Sequence, residues 1–306
     1  MRIAHVSDLH VLSPLGVEWR KILFNKRITA LANLLLVRAR MFRRDYLDAV
    51  LAAAARNADH VVVTGDVTNM SLESEYKEAE RMLQAVARTV EVTVIPGNHD
   101  VYLPHVRREG RFSRHFNSFF KSDLPELAVD TPGGRFPCVR LRGPVAIIGL
   151  SSAVPRPPFV SSGHLGRQQL EALTRILVHP AVACRTPIVL VHHDPMDSRF
   201  RLEQLRSGLT DARALRDALR NVARGLVLFG HVHVRTRSEL LTDAGVLEVV
   251  SAGAAAVDHS SDAVRAGYNL YDVDSDGRIV SQEAWVLDPA TLDFAERSLA
   301  LGPTVT

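Results

Sequence analysis

Five short apolar runs in this chain each end in a cluster of aspartate, asparagine, histidine and glycine. The runs cover 3–6, 60–64, 91–95, 187–192 and 225–229. The clusters at their ends are Asp8-Leu9-His10, Gly65-Asp66-Val67-Thr68-Asn69, Gly97-Asn98-His99-Asp100, His192-His193-Asp194 and Gly230-His231-Val232-His233. Two further strand-like runs lie at 145–150 and 245–251, and helical stretches at 46–57, 72–90, 166–179 and 210–222 fall among them. This β-then-α rhythm predicts an α/β fold. In open α/β sheets ligands bind beyond the carboxyl ends of the strands, so five such ends predict one polar rim. Thr210 and Asp211 stand where they can cap the last helix. Residues 268–273 and 278–286 flank Asp274-Ser275-Asp276-Gly277 and read as a β-hairpin. Residues 101–140 show no clear period and predict loops with a short helix.

The 306 residues are 46% hydrophobic and 23% charged, with 37 Lys+Arg against 34 Asp+Glu. Such a chain can bury a full core, which excludes disorder, and two cysteines, Cys138 and Cys184, cannot form a disulfide scaffold. We expect one domain over 1–306, with 15–45 inserted in it. That insertion holds Arg20, Lys21, Lys26, Arg27, Arg38, Arg40, Arg43 and Arg44 against only Glu18 and Asp45, so it is formally +6 in a chain of net +3. The remainder is therefore −3. No leader is expected, and no apolar stretch reaches the roughly 20 residues that span a bilayer. The expected location is cytoplasmic.

The clusters combine carboxylate, amide and imidazole donors without thiolate, which suits Mn, Fe or Zn better than a structural thiolate site. In Asp8-x-His10 and His231-x-His233 a turning backbone can aim both side chains the same way. Gly65, Gly97 and Gly230 would permit the sharp turns. The ordered set, D-x-H, G-D, G-N-H-D, H-H and G-H-x-H, resembles the calcineurin-like metallophosphoesterase superfamily over nearly the whole chain. The resemblance implies a four-layer α/β/β/α sandwich around two divalent metal ions. Asp8, His10 and His233 would bind the first ion, Asn98, His192 and His231 the second, and Asp66 would bridge them. It implies a hydrolase of phosphodiester or pyrophosphate bonds that uses a metal-bridging hydroxide, with His99 as the acid for the leaving oxygen. Many members orient that histidine with an Asp where this chain has Asn69. His193 and Asp100 are candidates for holding the ligands in place, although a solvated turn residue is an equal reading for Asp100.

The substrate stays open at this level. Phe24, Ile28, Leu31, Leu35 and Phe42 fall roughly on one helical face of the insertion, bracketed by basic side chains. A packed helical hairpin explains this; so does a surface, over 18–44, that meets anionic lipid as a peripheral membrane protein would. In character the second reading is similar to metallophosphoesterases that cleave UDP-diacylglucosamine. A cyclic-nucleotide phosphodiesterase of the class III type is the alternative, and a non-catalytic scaffold the alternative of another class. No nucleic-acid partner is expected. Asp272 to Glu283 fits the spacing of a calcium-binding EF-hand loop, but its flanks read as strands, so a hairpin turn is expected there. His5, His60, His105, His115, His164, His179 and His259 lie outside the clusters and read as core or surface side chains.

Overall fold

The computed structural model describes residues 1–13, 41–196, 201–299 and 301–305, so most of the 15–45 insertion lies outside the described residues. The first sheet begins with β1 (Arg2–Val6), β2 (His60–Val63) and β3 (Glu91–Val94), which run parallel in that order. They form because each is a short apolar run flanked by turn residues. Helix α1 (Arg44–Asn57) supplies the crossover from β1 to β2, burying Tyr46, Leu47, Val50, Leu51 and Ala54 at helical spacing. Helix α2 (Glu73–Val86) follows β2; its Glu75 carboxylate turns back to accept the amides of Leu72 at 3.1 Å and Met70 at 2.8 Å. Such a carboxylate satisfies amides that the first helical turn leaves without partners.

Residues 101–140 are more ordered than their pattern predicts. They hold α3 (Pro104–Arg108), α4 (Arg111–Phe116) and a small ribbon of β4 (Val129–Thr131) and β5 (Gly134–Phe136). Their irregular sequence hides an aromatic pack, Phe112, Phe116, Phe119, Phe120 and Phe136, all buried. The second sheet runs β6 (Cys138–Arg142), β7 (Val145–Gly149), β8 (Thr186–Leu190), β9 (Arg224–Phe229), β11 (Val246–Ala252), β10 (Arg235–Leu241) and β15 (Leu301–Val305) from edge to edge. Helices α5 (Arg167–Leu177), α6 (Pro180–Ala183), α7 (Arg201–Ser207) and α8 (Ala212–Leu219) lie along its connections. The predicted hairpin is present as β12 (Gly267–Val273) and β13 (Ile279–Leu287), followed by β14 (Phe294–Arg297). Antiparallel β12 joins this trio to β1. The Asp274 carboxylate accepts the amides of Asp276 and Arg278 across the turn, so the EF-hand spacing serves a hairpin.

Alternate residues of the second sheet face two cores. Ile147, Ile188, Leu190, Leu226, Leu228 and Val250 share one apolar cluster with the first sheet. Ile148, Val189, Val227 and Val249 share another with Leu173 and Ile176 of α5 and Leu215 and Leu219 of α8. The protein is mixed α/β, with its sheets flanked by helices. Asp211 does not cap α8 as its position suggested. Its carboxylate instead accepts the amides of Leu165 and Gly166, the latter at 2.8 Å, and so anchors the start of α5. Phe42 leaves the helical face expected for it and pairs in an isolated β-bridge with Val257.

Two core histidines give the fold a defined acid response. His5 lies between the Thr64 and Tyr271 hydroxyls, and burial pushes it down to about 3. Burial likewise lowers His60, bonded to Thr93, to about 4. Unfolded histidine titrates near 6.5, so below that pH the unfolded chain binds protons that the folded chain refuses. Their contribution to stability is therefore complete above 6.5 and is lost as pH falls toward these values, by up to roughly 1.4 kcal/mol per pH unit for each residue. Urea unfolding of chelated protein between pH 7 and 5 should show this slope, and His60→Gln should flatten it. A midpoint independent of pH would contradict the assignment.

Candidate metal centre

The polar clusters do converge. Asp8 follows β1, and its amide donates to Gly65 O at 3.1 Å while that of His10 donates to Asp66 O at 2.9 Å, so the first two clusters run side by side. Gly97 and Gly230 act through close approach rather than unusual backbone angles. A Cβ on Gly97 would stand 2.2 Å from Asp66 Oδ1, and one on Gly230 would stand 1.9 Å from Ser7 Oγ and 2.5 Å from Asp8 Oδ2. Gly65 does turn sharply, at φ 94°, and the left-handed conformation falls also on candidate ligands: φ is 53° at Asp8, 43° at His10, 50° at Asp66, 67° at His231 and 56° at His233. Non-glycine residues in this region are strained and concentrate where a surrounding structure enforces them.

Each carboxylate keeps one oxygen for the protein and turns the other inward. Asp8 Oδ2 accepts Ser7 Oγ at 2.7 Å and the His231 amide at 3.0 Å. Asp8 Oδ1 is buried with no hydrogen-bond partner among the described residues. It lies 3.2 Å from His233 Nε2 and 3.8 Å from His10 Nε2. Asp66 Oδ1 accepts the His99 amide at 2.8 Å, and Oδ2 lies 3.4 Å from His192 Nε2 and 3.9 Å from His10 Nε2. His10 Nε2 and His233 Nε2 face each other at 3.1 Å. His192 donates Nδ1–H to Thr64 O at 2.7 Å, leaving Nε2 beside Asn98 Oδ1 at 3.1 Å. His231 donates Nε2–H to Ser207 O at 2.9 Å, which leaves Nδ1 as its ligand atom. The structure thus brings together Asp8, His10, Asp66, Asn98, His192, His231 and His233.

His193, although in the same cluster, has both ring nitrogens engaged, with Ser152 Oγ at 2.7 Å and Ser161 O at 2.8 Å. Asp100 is no solvated turn. It is fully buried and accepts from Val67 N, Thr68 N, Thr68 Oγ1 and Gly97 N, so it fastens two clusters together. His99 donates Nδ1–H to the Asn69 backbone carbonyl at 2.5 Å and stacks on Tyr102 with ring centroids 5.6 Å apart. The sequence did not mark Phe42 as part of this site, yet its ring meets His10 edge-on at 5.0 Å and His233 at 6.1 Å. Only the fold could show it, because the segment between Asp8 and Phe42 carries no spacing that relates them.

The charges fit a cation. Burial opposes ionisation of Asp66, but His192 and His99 hold its carboxyl well below the usual range. Burial likewise opposes ionisation of Asp8, and His233 lowers it. Against burial, Asp66 and Asp8 raise His192 to about 9. Burial and His192 lower His231 to about 4, so it is neutral at pH 7 with a lone pair available. An orphaned carboxylate oxygen, two imidazole nitrogens pointing at each other and a second carboxylate between them are costly as a closed set. Divalent cations would make each of them a ligand, and the oxygen and nitrogen donors suit such ions.

The sequence signature of calcineurin-like phosphoesterases matches residues 1–235. The chain belongs to that family. The family is one of phosphoesterases that work with divalent metal ions. The chain is 29% identical over 195 residues to a probable cyclic nucleotide phosphodiesterase of Rhodococcus erythropolis, a match that spans 63% of the chain and 57% of the relative's length. Its fold is similar to that of a dimetal phosphatase from Danio rerio, with a TM-score of 0.54 at 13% identity, over 89% of this chain and 92% of the other. It is also similar to a purple acid phosphatase from yellow lupin, Lupinus luteus, with a TM-score of 0.58 at 12% identity, over 99% and 54% of the two chains. Among the described residues no helix is long and apolar enough to cross a membrane.

Proposed function

We propose that the protein is a phosphodiesterase or pyrophosphohydrolase with a dinuclear centre. Asp8, His10 and His233 would hold one ion, Asn98, His192 and His231 the other, and Asp66 both. The observation that carries this is the close set of Asp8, Asp66 and His192, all buried, with ligand atoms within 4.8 Å of one another. Bound divalent ions supply Lewis acidity to the phosphoryl oxygens and lower the pKa of a water held between them. The protein's own part is orientation. The Thr64 and Ser207 carbonyls fix which nitrogens of His192 and His231 face inward, and Asp100 fixes the loops that carry Asp66 and Asn98. His99, held at Nδ1 by Asn69 O, would transfer a proton to a leaving oxygen through Nε2.

Supplying Mn²⁺, Fe²⁺ or Zn²⁺ and then aryl phosphomonoesters, aryl phosphodiesters, nucleotide-sugar lipids and cyclic nucleotides tests the reading. Diester or pyrophosphate turnover that chelation abolishes and metal restores is expected. Undiminished turnover in chelator, or monoester turnover alone, would sink it. A cyclic-nucleotide substrate is the second reading, favoured by the similarity to the probable cyclic nucleotide phosphodiesterase of Rhodococcus erythropolis. A lipid-linked substrate such as UDP-diacylglucosamine rests on the charge of 18–44, which lies almost wholly outside the described residues. Deleting 18–40, which leaves Phe42 and α1 in place, should abolish binding to anionic vesicles and turnover of lipid-linked substrate while small aryl diesters are still cleaved. Equal loss on both substrates would contradict a lipid role.

A further inference from the structure

Among the described residues the two most exposed large apolar side chains are Leu202, at 80%, and Phe159, at 74%; Leu205 is 52% exposed. They are parts of one surface. Leu202 and Leu205, three residues apart, share a face of α7. Arg206 Nε donates to Phe159 O at 3.3 Å, and the Ser161 amide donates to Arg206 O at 2.8 Å, so the Phe159 loop is tied to that helix. Phe159 itself has φ 64°, a strained conformation for a bulky residue, and it presents its ring to solvent.

Both elements are anchored on the metal centre. Two residues after Phe159, Ser161 O accepts His193 Nε2–H at 2.8 Å. Two residues after Leu205, Ser207 O accepts His231 Nε2–H at 2.9 Å. The His193 and His231 rings lie 4.6 Å apart. The loop of Phe159 and the helix of Leu202 and Leu205 are therefore each tied to the rim of the metal centre by a backbone carbonyl. Arg156 and Arg206 stand on the same loop and helix, with Arg156 Nε donating to Ser162 O at 3.0 Å. Exposed apolar side chains on elements that also carry guanidinium groups and are tied to a cation centre match an amphiphilic anion.

We propose that Phe159, Leu202 and Leu205 form the subsite for an apolar arm, alkyl or aryl, of the phosphodiester substrate. This rests on the phosphodiesterase reading above and names the kind of ester it takes.

The test uses the full chain loaded with Mn²⁺ and two esters, p-nitrophenyl methyl phosphate and p-nitrophenyl octyl phosphate. Binding of methylphosphonate and octylphosphonate is measured beside them by calorimetry. We expect octyl to exceed methyl by about tenfold or more both in kcat/KM and in affinity, since each buried methylene favours binding. The variant Phe159→Ser/Leu202→Ser/Leu205→Ser should bring both ratios to within about twofold of unity. Phe159→Ser alone, at an exposed position, should lower each ratio about threefold. Equal values for octyl and methyl in the parent would overturn the proposal. So would variants that keep the parent's ratios, including variants that lose only vesicle or protein binding, which would make the face a docking surface. If neither ester is cleaved, the phosphodiesterase reading fails, while the phosphonate ratio still decides the subsite.

Discussion

Replacing Asp66 with alanine is expected to lower kcat/KM on an aryl phosphodiester by about a thousandfold or more, the scale of losing central charge stabilisation. It should also bring stable metal occupancy from two ions per chain to one or none. The reason is positional. Asp66 Oδ2 lies between His10 Nε2 at 3.9 Å and His192 Nε2 at 3.4 Å, so it is the group that reaches both proposed ligand sets. Its other oxygen accepts the His99 amide, and Asp66→Asn preserves an acceptor there while removing the charge. The asparagine variant should therefore keep the fold and still lose metal. Elemental analysis after gel filtration, with initial rates on the same samples, decides the matter. Two tightly held ions and activity within tenfold of the parent would refute the bridging role.

The second large effect belongs to His99. His99→Ala should lower kcat by about a hundredfold to a thousandfold on a diester with an alkoxide leaving group, which needs a proton. It should cost far less on a p-nitrophenyl ester, whose leaving oxygen departs as a stable anion. Equal losses on both substrates would show that His99 serves structure and not proton transfer. Asn69 gives a companion test. The contact to His99 Nδ1 comes from the Asn69 backbone carbonyl at 2.5 Å, so Asn69→Ala should leave that bond in place and cost less than tenfold. A carbonyl can orient the ring as a carboxylate would, but it does not supply a charge to balance an imidazolium.

Much of this was readable in the chain because the strands and the polar clusters are continuous in sequence. An apolar run that ends at Asp8 or His192 reports both a strand and what its end presents. The parallel strands and their α1, α2, α5 and α8 crossovers follow from that rhythm. What stayed hidden depends on distant pairing. Nothing near Asp211 shows that it receives the amides of Leu165 and Gly166, and nothing near Phe42 shows that Val257 and His10 are its neighbours. Strands β6 and β10 begin close to Pro137 and His233 and mix arginine with apolar residues, so no simple alternation marks them. Asp100 read equally well as an exposed turn because its four donors come from two separate loops. Of the glycines expected to take the sharp turns, Gly65 does so, at φ 94°, whereas Gly97 and Gly230 leave room for neighbouring polar atoms, and the candidate ligands take left-handed turns themselves.

That last arrangement bears on how the protein can be stabilised. Left-handed backbone at Asp8, His10, Asp66, His231 and His233 disfavours the fold by about 1 kcal/mol or more at each position relative to glycine. A directed-evolution campaign that selects for heat resistance in chelating buffer would therefore enrich glycine and asparagine at these positions and discard catalysis. Selection with divalent cation present sets the cation's binding energy against that gain, and the same positions then resist change. The assay medium, more than the choice of library, would decide whether a thermostable descendant is still an enzyme.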